Sequence, residues 1–327
     1  MDPIRVGVIG LGGHAQGHIQ MIHNEPGMRL TALCEVDPDR LARQQAVHGV
    51  EHGFADYRRM LDTCALDAVY VITRARPLAA IVCDCLQKGL WVSVEKPVGM
   101  NGAETQKMAD VAGQNGGKAI VSFNRRYFPE VLAVRRLLQE RGGAVQCAAV
   151  YHKPVSGETA MVRSGDYPVP IVCDAIHHVD LLRWLAGTEP EKAAAVETVY
   201  ADSGCGPRPG TQRYGALIRF ANGCGATLAS HYGVGYRIQR AEAHAEDFSA
   251  YFDLTRAEKG CETYIDGALQ DSLDLEPVGG PDYNETRHLL ECMRDGKRPW
   301  STLEDAVETM RLCEAINQGV KGPLPAP

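Results

Sequence analysis

Apolar and polar residues along the first third of the chain switch repeatedly between two spacings. Short apolar runs at 4–9 and 68–73 have the length of strands, whereas 78–88 and 103–114 repeat their apolar residues at helical spacing. The run at 68–73 is apolar almost throughout, as a strand of a parallel sheet covered on both faces must be. This repeated order of strand and helix predicts an α/β fold with a doubly wound parallel sheet over residues 1–123.

The pattern changes after residue 123, and a second domain is predicted over 124–327. Residues 193–276 carry strand-length segments separated by turn signals, such as Asn222-Gly223 between two apolar runs. Helical spacing returns at 283–294 and 303–316, and the pattern leaves open whether these C-terminal helices pack against the first domain. The second domain is therefore expected to combine helices and strands.

Composition limits the classes of function. The chain has 327 residues, is 45% apolar and carries a net charge of −7. These values suit two packed domains and disfavour a nucleic-acid binder, because such proteins need a basic surface. The longest apolar runs are far shorter than the roughly 20 residues that cross a bilayer, and the first residues enter a strand without a secretory leader. We expect no nucleic-acid partner, no membrane partner and a cytoplasmic location.

Eleven cysteines are scattered along the chain. No Cys-x-x-Cys pair occurs among them, so the spacing of a structural zinc site is absent. Cysteines without a leader or a paired framework fit reduced thiols in a cytoplasm. We therefore expect no bound metal.

A glycine-rich turn runs from Gly10 to Ala15, directly after the first strand and at the start of a helix. The first glycine permits a tight turn, and the second lets a pyrophosphate approach backbone N–H groups. Ala15 stands at the position of the third glycine, which the fingerprint tolerates. The turn predicts a dinucleotide site whose binding candidates are Gly10, Leu11, Gly12, Gly13 and His14.

Glu35 lies at the end of the second predicted strand. A carboxylate at this point accepts hydrogen bonds from the ribose hydroxyls and repels a 2′-phosphate. Asp37 competes for the same role, but Asp37-Pro38 is a good start for the following helix, with Asp37 as its N-cap. The expected cofactor is therefore NAD rather than NADP.

The tripeptide Glu95-Lys96-Pro97 follows the buried strand-length run at 91–94. Ligands of an open parallel sheet bind just beyond the carboxyl ends of its strands. Lys96 is therefore expected beside the predicted cofactor, where an amine can hold the oxygen of a reacting hydroxyl or carbonyl group.

Two adjacent histidines form a second candidate for chemistry. Asp174 precedes His177 by three positions and His178 by four, so either imidazole can share a helix face with the carboxylate. A carboxylate beside an imidazole fixes its tautomer and supports proton transfer. The structural alternative is a buried histidine next to a capping aspartate.

These motifs occur in one order along the chain, and together they resemble one family. The resemblance, which covers nearly the whole chain, is to the glucose–fructose oxidoreductase/inositol dehydrogenase family, abbreviated Gfo/Idh/MocA. The matching segments are the glycine-rich turn, Glu35, Glu95-Lys96-Pro97, Phe123 to Pro129, and Asp174 to Gly187.

The resemblance implies both a fold and an activity. It implies an N-terminal Rossmann domain and a C-terminal domain for substrate binding and oligomerisation, built on a large, mostly antiparallel open sheet. That sheet often forms a subunit interface in the family, so a homodimer or homotetramer is expected. The implied activity is NAD(P)-dependent oxidation or reduction at a carbinol carbon of a sugar, a cyclitol or a sugar acid.

The resemblance also implies roles for single residues. Lys96 would contact the reacting oxygen, and His177 would exchange its proton with Asp174 as its partner. Members commonly place the aspartate four positions before the histidine, where this chain has Cys173 before His177 and Asp174 before His178. His177 is preferred because it keeps the spacing to Asp180, but the alternative stays open. Further implied cofactor residues are Thr73, Arg74, Glu95 and Asn124.

A departure from the family pattern concerns the substrate. Members commonly carry Thr-Pro after the strand that ends at Thr73, whereas this chain has Arg74 and Arg76 nearby. Arginine suits carboxylate or phosphate contacts, so these two side chains contact either an acidic substrate or the cofactor, or simply face solvent. Candidate substrate residues are Lys96, Arg126, Lys153, Arg163, Tyr167 and His178.

The predicted function is an NAD-dependent dehydrogenase that acts on a sugar-like polyol or a sugar acid. Two alternatives belong to other classes. One is a regulator that binds the dinucleotide without turnover. The other is a glycoside hydrolase of the same fold that oxidises its substrate transiently and recycles NAD.

Overall fold

The computed structural model describes residues 2–154, 164–206, 211–255 and 260–325. The strands are β1 Ile4–Ile9, β2 Met28–Cys34, β3 His52–Phe54, β4 Ala68–Val71, β5 Trp91–Val94, β6 Ala119–Val121, β7 Gln146–Lys153, β8 Val196–Cys205, β9 Gln212–Phe220, β10 Gly225–Tyr232, β11 Ile238–Ala245, β12 Phe248–Asp253, β13 Gly260–Ile265, β14 Ala268–Leu269 and β15 Lys321–Pro323. The helices are α1 Ala15–Asn24, α2 Pro38–His48, α3 Tyr57–Thr63, α4 Ala75–Gln87, α5 Gly102–Gln114, α6 Pro129–Gln139, α7 Ile176–Ala186, α8 Glu285–Asp295 and α9 Leu303–Gln318.

The chain divides into two compact units. Unit 1 comprises Met1–Ser122 and Asn284–Ala306, and unit 2 comprises Phe123–Tyr283 and Val307–Pro327. Helix α8 therefore belongs to the same unit as the first strands, although it follows the residues of unit 2 in the sequence.

Unit 1 contains a six-stranded sheet in the order β3-β2-β1-β4-β5-β6. All five neighbouring pairs are parallel, and this order is that of a doubly wound dinucleotide-binding sheet. Strand β4 is buried along its whole length, in agreement with helices on both faces. The predicted doubly wound parallel sheet is confirmed.

Local signals in the sequence set the start of helix α2. The Asp37 carboxylate accepts hydrogen bonds from the backbone N–H groups of Asp39 and Arg40, and Pro38 occupies the first helical position. These contacts satisfy N–H groups that have no partner inside the helix. Asp37 is therefore a helix cap, as expected.

Unit 2 is built on a nine-stranded sheet in the order β14-β13-β12-β11-β7-β10-β9-β8-β15. The β7–β10 pair is parallel, and the other pairs of described strands are antiparallel. Helix α7 packs on β7. The predicted large, mostly antiparallel sheet is therefore confirmed. Its strands also carry exposed large side chains, namely Tyr200, Leu217 and Tyr251.

The structure differs from the sequence expectation at the start of the helix that carries the two histidines. A π-helical turn, Ile171–Ala175, precedes α7. The Tyr232 hydroxyl donates to the carbonyl of Pro170 at 2.9 Å and accepts from the N–H of Ala175 at 3.2 Å. A side chain from β10 therefore satisfies backbone groups of this turn, which no pattern within the helix itself indicates.

Strand β3 and helix α3 were absent from the sequence interpretation, because both are too short to show a clear period.

Among the described residues, none of the helices combines the length and the apolar character that a membrane span needs.

Candidate functional site

The glycine-rich turn has the geometry that a pyrophosphate needs. Gly10 has φ +89°, and a Cβ there would lie 2.3 Å from the carbonyl oxygen of Ile72, so the position requires glycine. A Cβ on Gly12 or Gly13 would meet no atom within 4 Å. The backbone of the turn thus faces open space at the start of α1, whose first turn contains no acidic residue. Such a helix start favours an anion.

Glu35 is held rigidly beside this turn. Its Oε2 accepts a hydrogen bond from the Leu11 N–H at 3.0 Å, and its Oε1 accepts from the Asp37 N–H at 3.1 Å. The Arg40 guanidinium lies 3.1 Å from Oε2. Burial raises the pKa of Glu35, but the hydrogen bonds from Leu11, Asp37 and Arg40 outweigh burial and hold that pKa below its usual value. An ionised acceptor therefore stands at the end of β2, as the NAD prediction requires.

The segment after β4 places two arginines at the start of a helix. Arg74 is the N-cap residue of α4, and both Arg74 and Arg76 are exposed. The Thr73 hydroxyl donates to the carbonyl of Arg74 at 3.1 Å. Helix α4 begins at Ala75, three residues before the predicted start, so both arginines add positive charge to the positive end of a helix dipole.

Glu95 and Lys96 follow β5 at the carboxyl edge of the same sheet. Lys96 is half-buried, whereas Glu95 is buried. The Glu95 Oε2 lies 3.1 Å from His18 Nε2 of α1. His18 was not among the predicted site residues, and no spacing rule links it to a residue so far along the chain.

In unit 2 the two candidate histidines differ in environment. His177 is half-buried, whereas His178 is fully buried. The centroids of the His178 and Tyr151 rings are 5.1 Å apart. Neither ring nitrogen of His178 has a hydrogen-bond partner among the described residues. Burial, together with the charges of Arg125 and Arg237, lowers the pKa of His178 well below its usual value. A neutral, enclosed imidazole of this kind packs as a core side chain.

Asp174 lies in the π-helical turn and binds a lysine. Its Oδ2 is 3.1 Å from Lys153 Nζ of β7. Lys153 and Asp174 are each about four-fifths buried, with side-chain exposures of 21% and 16%. Two of the predicted site residues are therefore brought together within unit 2.

Arg126 has the contacts of a structural residue rather than those of a substrate-binding one. It is fully buried, and its guanidinium donates to the Asp180 carboxylate at 2.8 and 2.5 Å. Asp180 also accepts from the Thr309 hydroxyl at 3.1 Å. The resulting network stabilises unit 2 from within, and breaking such a pair leaves an uncompensated buried charge.

The remaining candidates lie at scattered positions of unit 2. Asn124 is exposed at the start of the short 3₁₀ helix Asn124–Tyr127, and Tyr167 is half-buried. Arg163 lies outside the described residues. Within the described ranges, no three His, Cys, Asp or Glu side chains are arranged to hold a metal ion.

Comparison with known proteins gives one family match and several relatives. Residues 4–123 match the Gfo/Idh/MocA model, whose description is oxidoreductase family, NAD-binding Rossmann fold. D-apiose dehydrogenase of Paraburkholderia graminis is 24% identical over 336 residues, which cover 94% of this chain and 85% of that protein. Inositol 2-dehydrogenase of Rhizobium meliloti is 25% identical over 247 residues, which cover 74% and 73%.

Among solved structures, levoglucosan dehydrogenase in complex with NADH and L-sorbose has a TM-score of 0.85 and 18% identity to this chain. The superposition covers 99% of this chain and 100% of that one. At this level of identity the similarity establishes a shared fold across both units.

Proposed function

Through residues 4–123 the chain belongs to the Gfo/Idh/MocA family of NAD-binding oxidoreductases, and we propose that it oxidises a carbinol carbon of a sugar, a cyclitol or a sugar acid. The observation that carries the proposal is the sheet of unit 1. Its first turn leaves backbone open to a pyrophosphate, and Lys96 follows the end of its fifth strand, β5, by two residues. Cofactor and reacting oxygen would then both lie beyond the carboxyl ends of the strands.

Each residue proposed for the site has its own role in the reaction. When bound, NAD would accept a hydride from the substrate carbon. Lys96 holds and polarises the substrate oxygen, and His177 accepts the hydroxyl proton. Asp174 is the proposed partner that orients His177, and its contact with Lys153 supports the proposal that this lysine lies near the substrate. His177 is favoured over His178 because it is only half-buried.

Unit 1, together with Asn124 of unit 2, would bind the dinucleotide, and unit 2 would supply most of the substrate residues and bind other subunits. The residues proposed to hold NAD are Gly10, Leu11, Gly12, Gly13, His14, Glu35, Thr73, Arg74, Glu95 and Asn124. The exposed Tyr200, Leu217 and Tyr251 support a homodimer or homotetramer through the nine-stranded sheet, because large exposed side chains grouped on one sheet mark association surfaces. The eleven cysteines, scattered along the chain without a paired framework, support a reducing compartment such as the cytoplasm.

The reaction is tested by a screen for NADH formation with inositols, neutral sugars, aldonic acids and uronic acids. We expect net NADH formation with at least one compound.

If Arg74 and Arg76 contact a substrate carboxylate, aldonic and uronic acids will react faster than neutral sugars. Replacing both arginines by alanine will then raise KM for the acid while leaving the Kd of NADH nearly unchanged. An equal loss of NADH affinity would assign both arginines to the cofactor.

The same screen separates the alternative functions. A regulator would bind NADH without forming product from any compound. A glycoside hydrolase would release sugar from a glycoside without net NADH. Either outcome would replace the dehydrogenase proposal.

The preference for NAD is tested at Glu35. The wild-type protein is expected to bind NADH more tightly than NADPH in a fluorescence titration, because the Glu35 carboxylate accepts from the ribose and repels the 2′-phosphate. Glu35→Ala should reduce the ratio of the Kd of NADPH to the Kd of NADH by roughly tenfold. This factor corresponds to about 1.4 kcal/mol, the contribution of one hydrogen bond. Tighter binding of NADPH by the wild-type protein would contradict the assignment.

A further inference from the structure

Four titratable side chains of unit 1, three of them buried, lie next to one another around Glu95. The Glu95 carboxylate contacts His18 of α1 and His14, the residue before α1: Oε2 lies 3.1 Å from His18 Nε2, and Oε1 lies 3.6 Å from His14 Nδ1. The other ring nitrogen of His18 lies 3.6 Å from Glu285 Oε1. Glu285 Oε1 in turn accepts a hydrogen bond from the Ser122 hydroxyl at 3.0 Å. We call His14, Glu95, His18 and Glu285 the acidic relay.

The relay joins the glycine-rich turn to the interior. His14 ends the turn, and 71% of its side chain is exposed. Glu95 and His18 are 8% exposed, and Glu285 is 5% exposed. Only His14 therefore has free access to water, and any charge on the inner members is felt strongly because the surrounding dielectric is low.

The inner members cannot all be charged without cost. Two carboxylates, Glu95 and Glu285, flank the single imidazole of His18. Oε2 of Glu285 is buried without a hydrogen-bond partner among the described residues, so an ionised Glu285 would be incompletely solvated there. A proton on that carboxyl group relieves both the missing solvation and the repulsion from Glu95.

The pKa values of the three buried members shift as this geometry requires. Burial raises the pKa of Glu285 to about 7, and the charge of Glu95 acts in the same direction. Burial lowers the pKa of His18, but the hydrogen bond to Glu95 and the charge of Glu285 outweigh burial and raise it. Burial also raises the pKa of Glu95, and the hydrogen bonds with His14 and His18 and the charge of Lys96 overcome burial and lower it.

Resting on the proposed function, we propose that the acidic relay links dinucleotide binding to the uptake of a proton by Glu285. The pyrophosphate would bring negative charge to the turn that His14 ends. An ionised Glu285 leaves the buried relay with one more negative charge than a protonated one. Like charges repel, so the protonated form binds the dinucleotide more tightly, and by reciprocity the bound dinucleotide favours the proton.

Burial and the charge of Glu95 raise the pKa of Glu285 to about 7, so Glu285 is the buried carboxyl group of the relay that changes charge near neutrality. The pKa of Glu95 is lowered and that of His18 is raised, and both directions favour the ion pair between these two side chains. Tyr70 stays neutral because burial raises its pKa. The charges of His18 and Glu95 act directly on Glu285, and Tyr70 of β4 and Lys96 after β5 interact with the two carboxylates. Glu25 after α1 acts on Tyr70 and pairs with Arg287 of α8 at 3.7 Å.

Calorimetric titration of the full-length protein with NADH tests the proposal. From about pH 6 to about pH 8 the Kd of NADH should rise about fivefold, the low end of typical coupling between two sites. Titrations in two buffers with different ionisation enthalpies should show proton uptake on binding near pH 7. Glu285→Gln, which keeps the acceptor for Ser122, should show a smaller change of the Kd of NADH between the two pH values and should take up fewer protons than the wild-type protein.

A control and a second variant complete the experiment. Glu291→Gln removes the same charge from the same helix at a half-buried carboxylate that pairs with Lys297, so it should behave as the wild-type protein does. Ser122→Ala removes a hydrogen bond that lowers the pKa of Glu285, so it should move the midpoint of the Kd change to higher pH. This variant keeps the test decisive if Glu285→Gln does not fold in a thermal melt.

Two results would overturn the inference in different ways. NADH binding by Glu285→Gln with the wild-type pH dependence, or by Ser122→Ala with an unmoved midpoint, would reject the relay and leave the proposed function intact. No NADH binding by the wild-type protein at any pH would reject the proposed function together with the relay.

Discussion

Lys96→Met is expected to lower kcat by at least about 100-fold while the protein stays folded and binds NADH. The side chain is half-buried at the carboxyl edge of the sheet in unit 1, where its ammonium can stabilise the oxygen as the substrate hydroxyl loses its proton. Positioned charge of this kind is worth about 10²–10³ in kcat, and methionine keeps the length of the side chain but not the charge. Steady-state rates and a fluorescence titration with NADH measure the two effects.

The matched control is Lys107→Met. Lys107 is an exposed lysine of α5 in the same unit, so its loss removes the same charge without touching the proposed site. It should retain nearly all activity. A Lys96→Met protein with normal kcat would remove this lysine from the chemistry, and one that no longer binds NADH would assign it to the cofactor.

His177→Ala is expected to lower kcat by about 10²–10⁴, the usual value of general base catalysis. An imidazole accepts the hydroxyl proton only when it is neutral, so the wild-type kcat should fall as the pH decreases through the range in which imidazoles titrate. The variant has no imidazole at this position and should lose that acidic limb of the profile. The measurement is kcat as a function of pH for both proteins with saturating NAD and substrate.

His178 supplies the comparison that settles the register of helix α7. His178 is fully buried beside Tyr151, so His178→Ala should leave a cavity and lower the melting temperature. The profile of kcat against pH of His178→Ala should keep the acidic limb. A folded His178→Ala protein without activity, next to a nearly normal His177→Ala protein, would exchange the roles of the two residues.

If neither histidine affects the rate, proton transfer does not involve this helix. Product analysis would then decide between a regulator that binds the dinucleotide and a glycoside hydrolase that recycles it. The pH dependence of NADH binding through Glu285 is independent of this outcome, because it is measured without substrate.

The periodic pattern of the sequence predicted the parallel sheet of unit 1 apart from the short strand β3. Strand β1 and strand β5 have the predicted bounds, Ile4–Ile9 and Trp91–Val94. The glycine-rich turn and the Asp37 cap were also predictable, because a tight turn and a helix start depend on residues only a few positions apart. The order of motifs then indicated a resemblance to the Gfo/Idh/MocA family, whose model matches residues 4–123.

Contacts between distant parts of the chain could not be predicted in this way. Helix α8 joins unit 1 across the whole of the intervening sequence and brings Glu285 to His18. The burial of Arg126 against Asp180 likewise depends on how α7 packs in unit 2. A motif shows that such residues are present, but it does not show whether water or another side chain surrounds them.

The sequence by itself determined most of the parallel strands of unit 1, the dinucleotide turn, and the candidate status of Lys96 and the two adjacent histidines, because these follow from local periodicity, backbone requirements and short motifs. Only the tertiary structure decided that His178 is buried and that Asp174 contacts Lys153. It alone also decided that the carboxylates of Glu95 and Glu285 flank the imidazole of His18. The physical reason is that burial and charge coupling depend on the distances between side chains. The fold sets those distances, and residues far apart in the sequence supply the partners.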